Sequence, residues 1–216
     1  MQKTIVCLKY GSKYPVEYVN KLYSMTNRHC TYDHEFVCFT EDSRGLDKNI
    51  KVIPLDTYSD IEGWWYKTFL FDPSNGLEGT ILFLDLDVVI FNSIDKLFEY
   101  DASSFCITRG FRKDNKHGMN SSCFRFEAGT HAFIFEDFMK NRNRTSIMKR
   151  LHGDQDWIQE QVKEFSFWPD KWLMSYKWDM LKDNILSHHE DTAIAVFHGK
   201  PNPNEIDTTW IREHWG

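Results

Sequence analysis

Ile81-Leu82-Phe83-Leu84-Asp85-Leu86-Asp87-Val88-Val89-Ile90-Phe91 is the stretch whose reading decides the fold. Four apolar residues run into two carboxylates two positions apart, and a second apolar run follows. With Gly79 before it and Asn92-Ser93 after it, a short continuous apolar run reads as a buried strand. Period two along an extended chain then places Asp85 and Asp87 on one side. Like charges on a buried edge repel each other and resist desolvation, so they require a partner, and a divalent cation with hard oxygen ligands supplies one. The alternative is that one carboxylate caps the helix that follows, although Ser93 is better placed for that cap.

Upstream, residues 4–8 read as a strand, 9–14 as a turn, and Pro15 as the first turn of a helix with Val16, Val19, Leu22, Tyr23 and Thr26 on one face. Residues 35–39 and 50–54 read as two further strands, with a polar turn at 40–43 after the first. Strand, helix, strand in that order implies a right-handed parallel unit, with both turns on the rim at the strands' carboxyl ends, where ligands bind. Gly63-Trp64-Trp65-Tyr66-Lys67-Thr68-Phe69-Leu70-Phe71 reads as a helix with Trp64, Lys67, Thr68 and Phe71 on one face. A lysine on that face either snorkels at the rim or meets an anion.

Downstream, the pattern predicts a short helix with Ile94, Leu97 and Phe98, a strand over 104–108, a mobile polar loop over 109–118 and an extended run over 120–126. Thr130 is expected to cap a helix ending near Met139, and the basic run over 140–150 to be a solvated helix end. Gly153-Asp154-Gln155-Asp156-Trp157-Ile158 opens another helix with Asp154 at its N-cap. Aromatic stretches over 165–168 and 172–178 precede a last strand over 193–197, which runs into His198-Gly199-Lys200-Pro201-Asn202-Pro203. The tail over 208–215 reads as a short helix docked by Trp210 and Trp215.

The 216 residues suit one domain with a real core. A net charge of -6 argues against general nucleic-acid binding. No apolar run is long enough to span a bilayer. Five cysteines without a Cys-x-x-Cys pair suggest free, mostly buried thiols in a reducing compartment, so a soluble cytoplasmic protein is expected.

An Asp-x-Asp alone recurs by chance. Its weight here comes from His198-Gly199-Lys200 at the end of the last strand, which offers an imidazole ligand and an anion contact. Mn(II) accepts a mixed oxygen and imidazole shell, whereas Mg(II) prefers oxygen and water. Otherwise His198 is a turn histidine bonded to backbone; His188 and His189 compete for the ligand role but sit in a polar loop. Asp85, Asp87 and His198 around a cation, beside Lys67 and Lys200, would make a diphosphate site that assists a leaving group.

Seven segments carry a wider resemblance: Cys38-Phe39-Thr40-Glu41-Asp42, Gly63-Trp64-Trp65-Tyr66-Lys67, Leu84-Asp85-Leu86-Asp87, Asn120-Ser121-Ser122, Gly153-Asp154-Gln155-Asp156-Trp157, Ser175-Tyr176-Lys177 and Phe197-His198-Gly199-Lys200-Pro201. In this order, nearly end to end, the chain resembles GT-A fold glycosyltransferases, particularly small bacterial and phage-borne members like those of glycosyltransferase family 8. The resemblance implies an α/β fold, Rossmann-like and nucleotide-sugar-binding, with a mostly parallel central sheet flanked by helices. It implies a nucleotide-binding half over 1–91 and a donor-sugar and acceptor half over 92–216. Asp85, Asp87 and His198 would bind Mn(II) or Mg(II). Tyr10 and Lys13 would hold the nucleotide, usually uridine, and Lys67, Asp85, Leu86, Asn120, Ser121 and Lys200 would line the rest of the UDP-sugar. Asp154 and Gln155 would contact sugar hydroxyls and the reacting face as the catalytic pair.

Two departures from the family pattern stand out. Histidine and lysine are compressed to His-Gly-Lys-Pro, which weakens the assignment of Lys200 more than that of His198, and Ser122 stands third in the Asn-Ser-Gly/Ala segment. The implied reaction moves a hexose with retention, which suits Gln155 because it has no titratable group; Asp154 or Asp156 as a base would instead give inversion. The acceptor (glycan, lipid, protein or modified base) is not disclosed, and its surface is expected over 109–118, 165–178 and the tail. Leu-Asp-Leu-Asp-Val-Val also resembles the first motif of haloacid-dehalogenase-like, Mg-dependent phosphatases, a reading that leaves His198 and the 153–157 helix without a role. A module that binds nucleotide-sugar without turnover is the third possibility.

Overall fold

A computed structural model of the chain describes residues 1–102, 104–112, 118–140 and 144–216. The first part comprises β1 (Lys3–Lys9), α1 (Val16–His29), β2 (Glu35–Thr40), β3 (Lys51–Pro54), a 3-10 helix (Gly63–Phe71), β4 (Thr80–Leu84) and β5 (Val88–Ile90). Then come α2 (Asp95–Glu99), β6 (Phe105–Arg109), β7 (Met119–Glu127), α3 (Phe133–Lys140), α4 (Arg144–Arg150) and α5 (Asp154–Gln161). The last part holds β8 (Phe165–Phe167), β9 (Leu173–Ser175), the hairpin of β10 (Leu181–Lys182) and β11 (Ile185–Leu186), β12 (Ile194–Val196) and α6 (Thr209–His214).

Among the described residues, seven strands form the main sheet in the order β3-β2-β1-β4-β7-β6-β8. Neighbours pair in parallel except at β7, which runs antiparallel to both β4 and β6. The central strands are apolar on both faces because both faces are covered. Ile5, Cys7, Leu82 and Leu84 pack toward α1 and the C-terminal elements, whereas Val6, Ile81 and Phe83 pack toward the 3-10 helix, α3 and α5. On α1 the buried residues are Tyr18, Val19, Leu22, Met25 and Thr26, so the expected stripe holds in its middle and turns slightly away from Val16 and Tyr23.

The 81–91 stretch is two strands rather than one. The chain leaves the main sheet after Leu84, turns through Asp85-Leu86-Asp87, and enters a second sheet of order β5-β12-β9. Both halves are apolar because both are buried, and hydrophobicity alone carries no mark of the change of sheet. Asp85 and Asp87 are therefore not set side by side by strand period.

The Gly63–Phe71 segment also departs from expectation. It is a nine-residue 3-10 helix in which every residue from Trp65 to Phe71 is buried, while Trp64 is 52% exposed. At three residues per turn the i, i+3, i+4 stripe has no meaning, and packing between the sheet and α3 replaces it. Lys67 accordingly lies inside the protein, not snorkelling at its edge.

Smaller corrections concern helix ends. The Thr130 hydroxyl donates to the Glu127 carbonyl at 2.7 Å, and α3 begins only at Phe133. Gly153 takes the N-cap of α5 and Asp154 is its first helical residue. In the 140–150 run Lys140 pairs with Glu136, Arg144 with Asp60 and Arg150 with Glu160, while 141–143, like 113–117 of the expected mobile loop, lies outside the described residues. The five cysteines are free and buried, and no described helix is long and apolar enough to cross a membrane. The tail helix forms as expected, with the Thr208 hydroxyl accepting from the Ile211 amide at 3.3 Å.

Arg125 on β7 is 1% exposed. Its guanidinium donates to the carbonyls of Leu97 (2.9 Å), Phe98 (3.1 Å), Tyr100 (2.6 Å), Asp101 (2.5 Å) and Ser104 (3.0 Å). A cation fits there because the orphan carbonyls at the end of α2 are otherwise buried without donors. Arg125→Met strands those carbonyls and is expected to cost about 3–5 kcal/mol of unfolding free energy in urea melts; a loss below about 1 kcal/mol would mean that water takes over the role.

Candidate functional site

Parallel pairing of β1 with β2, with Lys9 opposite Thr40, brings their two following turns to one rim. The Gly11 amide donates to Glu41 Oε1 at 2.7 Å, closing that rim, with Gly11 at φ +65 where a side chain would be strained. Because β4 is parallel to β1, Asp85 emerges at the same end. Tyr10 packs on Tyr66 with ring centroids 4.4 Å apart, and residues 10–13 and 62–65 wall a cleft of about 340 Å³ that includes Lys13 and Trp64.

Lys67 holds the centre. Its Nζ lies 2.8 Å from Asp85 Oδ1, 3.0 Å from Asp85 Oδ2, 3.2 Å from Ser121 Oγ, 3.3 Å from the Ser121 carbonyl and 3.6 Å from Asp154 Oδ2. Burial alone would lower the ammonium's pKa, but Asp154 and then Asp85 outweigh it and leave it raised. Burial also raises the Asp154 carboxyl, with Lys67 opposing. Asp154 Oδ2 is buried and has no hydrogen-bond partner. The 3-10 helix supplies Lys67, the end of β4 Asp85, β7 Ser121, and α5 Asp154. Gly153 allows α5 to start there, since a Cβ on it would sit 2.9 Å from the Trp64 indole nitrogen.

Asp87 faces elsewhere. The Tyr14 hydroxyl donates to its Oδ2 at 2.7 Å, and Leu86 between the acids is buried in the core. Burial, then repulsion from Asp85, pushes the Asp87 carboxyl up to about 6. The Phe197 amide donates to the Asp87 carbonyl at 2.9 Å, continuing the β5–β12 pairing and setting His198 one residue beyond. The His198 imidazole contacts Ser175 Oγ through Nε2 at 2.7 Å and stacks on Phe111 at 5.2 Å. Burial, helped by Lys177, brings its pKa down to about 4, so it is neutral near pH 7.

Thus the backbone brings the strand carrying His198 to Asp87, but no three His, Cys, Asp or Glu side chains among the described residues converge closely enough to hold an ion. The three expected ligands each answer a different protein partner. The donor set still suits a borderline divalent cation: two carboxylates and a neutral imidazole. Lys200 is exposed and paired with Glu205 at 2.7 Å. Asn120 accepts from the Ser122 amide at 3.1 Å, and Gln155 is half-buried beside Asp154. Asp156 accepts from the His152 amide at 3.0 Å. Sequence reasoning gave no role to Tyr14, to Ser175, or to Lys177, whose Nζ donates to the His198 carbonyl at 2.6 Å. The Ser175-Tyr176-Lys177 segment marks the place, but its pairing with His198 follows only from the β9–β12 register.

A carboxyl whose folded pKa lies above its unfolded value weakens the fold as pH rises through that window. For Asp87 this loss, on the order of 1–3 kcal/mol, falls between roughly pH 4 and 6. Ligand-free Asp87→Asn is therefore expected to resist urea better than wild type at pH 7, the two converging below pH 4. Equal stability at pH 7 would show that the carboxylate is well solvated.

No family model matches the chain, and no curated protein matches it in sequence. Solved structures do match. The glycosyltransferase GlyE of Streptococcus pneumoniae TIGR4 aligns with 98% of this chain at TM-score 0.70 and 13% identity, and the chain spans 59% of that protein. The galactosyltransferase LgtC, in complex with donor and acceptor sugar analogues, aligns at TM-score 0.66 and 13% identity, over 93% of this chain and 88% of LgtC. The apo form of GlyE gives 0.62 at 14% identity, over 99% and 59%. At such identities the shared property is the fold: the chain has the α/β architecture of GT-A glycosyltransferases, as the resemblance implied.

Proposed function

We propose that this chain is a glycosyltransferase that moves a hexose from a UDP-sugar to an acceptor with retention of configuration, aided by a divalent cation. The observation that carries this reading is the meeting of Lys67, Asp85, Ser121 and Asp154 at the carboxyl-end rim of a fold shared with glycosyltransferases. Buried charges with a carboxylate oxygen that accepts no hydrogen bond among them are a poor structural choice and a good ligand site. Asp154 Oδ2 is suited to accept from a sugar hydroxyl, and Asn120 and Gln155 are chain neighbours of Ser121 and Asp154 in the cluster.

Tyr10 and Lys13 would hold the nucleoside in the cleft next to Trp64. Lys67 would trade part of its hold on Asp85 for the donor's diphosphate or sugar. Asp85, Asp87 and His198 would hold Mn(II) or Mg(II), whose charge supports the departing diphosphate. Lys200 reaches that diphosphate only by leaving Glu205. Retention fits the residues at hand. Gln155 has no titratable group and cannot take a proton, while Asp154 lies against the Lys67 ammonium and Asp156 accepts from the His152 amide. The acceptor would enter by the hollow of about 780 Å³ lined by Arg109, Phe111, Asp170, Lys171, Met174 and Asp179, which adjoins His198 through Phe111.

The test is UDP release from a panel of UDP- and GDP-sugars with Mn(II), read beside titration calorimetry with UDP. Asp87→Ala is expected to abolish Mn(II)-dependent UDP binding. Lys67→Ala is expected to weaken UDP-sugar binding by about 10-fold or more while leaving uridine binding alone. Equal loss on both ligands would indicate a folding defect, and tight UDP-sugar binding without turnover on any donor would indicate a binding module.

A further inference from the structure

Resting on the divalent-cation reading of Asp85, Asp87 and His198, we infer that the ligand-free protein latches its own cation site shut, with Lys67, Tyr14 and Ser175 each holding one ligand until the nucleotide diphosphate arrives. Three separate contacts carry this. The Lys67 ammonium sits on both oxygens of Asp85, at 2.8 and 3.0 Å, where a cation would go. The Tyr14 hydroxyl donates to Asp87 at 2.7 Å, and Tyr14 ends the rim turn that begins next to Tyr10. Ser175 Oγ meets His198 Nε2 at 2.7 Å.

The Trp178 amide donates to Ser175 Oγ at 3.1 Å, and the hydroxyl keeps its hydrogen and one lone pair for the imidazole. When the hydroxyl donates, His198 Nε2 accepts and the imidazole proton sits on Nδ1. In that tautomer the nitrogen able to bind a metal is the one the serine occupies. The imidazole also packs against Phe111 and Trp178, and Lys177 anchors the His198 carbonyl.

Each latch exchanges a protein hydrogen bond for a metal bond, so a bare ion gains little. A diphosphate offers Lys67 another anion, and a nucleoside on the rim turn offers a way to draw Tyr14 off Asp87. Cation and nucleotide then tighten each other's binding, by the reciprocity of linked equilibria. A cell containing abundant divalent ions would load the site only when donor is present.

The experiment is calorimetric titration of Mn(II) into the full chain, alone and with saturating UDP, corrected for the Mn(II)–UDP complex in solution. Wild type is expected to bind Mn(II) alone weakly and at least about 10-fold more tightly with UDP. Tyr14→Phe should bind Mn(II) alone roughly 10-fold more tightly than wild type, and Ser175→Ala roughly 3-fold, each with a smaller gain from UDP. Damage to the fold lowers affinity, whereas loss of a latch raises it, so the sign separates the two. Nitrogen-15 spectra of the metal-free protein should show His198 as the Nδ1–H tautomer, changed in Ser175→Ala. Unchanged or weaker Mn(II) binding in both variants, with wild type still binding Mn(II) in the presence of UDP, overturns the latch and leaves the cation site standing. No Mn(II) binding to wild type with or without UDP overturns the cation site and the latch with it.

Discussion

A lysine ammonium taken out of water must be met by anions, and that requirement at Lys67 holds this molecule's rim together. Asp85, Asp154 and Ser121 answer it from three elements far apart in the chain. Removing Lys67 would leave two buried carboxylates without their cation, which costs more than the pairing is worth when intact. The 3-10 helix, the end of β4, β7 and the start of α5 are therefore tied to one point. The carboxylates are expensive to keep there, and Asp154 Oδ2, although it faces Lys67, accepts no hydrogen bond. Such an arrangement makes sense at a place where a polar ligand completes the set.

The second constraint is the seam between the two sheets. Leu84 ends the main sheet and Val88 starts the smaller one, so the two acids occupy the turn that joins them. The turn sends Asp85 toward Lys67 and Asp87 toward Tyr14. The antiparallel match of β12 to β5, extended by the Phe197 amide on the Asp87 carbonyl, brings the far end of the chain to the same spot. The smaller sheet thus delivers the imidazole to the turn that carries the carboxylates. The Arg125 guanidinium, holding five backbone carbonyls, fixes the α2 region behind them without touching the site.

Much of this was legible in the chain. The apolar runs at β1, β2 and β4, the helix after Pro15 and the turns at 9–14 and 40–43 led to a parallel unit with its rim in the right place. Asp85, Asp87 and Lys67 stood out because charge inside an apolar setting requires an explanation, His198 by its place at the end of the last strand, and Asp154 only through the family resemblance. What misled was periodicity at two points. A strand period was carried across Asp85-Leu86-Asp87, where the chain changes sheet, and a helical period was applied to Gly63–Phe71, which winds as a 3-10 helix buried on nearly every side. Burial on all faces erases the alternation from which such periods are read.

The sequence by itself determined the alternation of strands and helices and the rim where polar turns collect. Local propensity and hydrophobic patterning act over a few residues, and that range is enough for those properties. Only the tertiary structure decided who holds whom: Lys67 with Asp85 across 18 residues, with Ser121 across 54, His198 with Ser175 across 23 and Tyr14 with Asp87 across 73. Each of those bonds needs two strands or helices already packed in register, and the energy that sets the register comes from the apolar core, which carries no sign of the hydrogen bonds it will bring together.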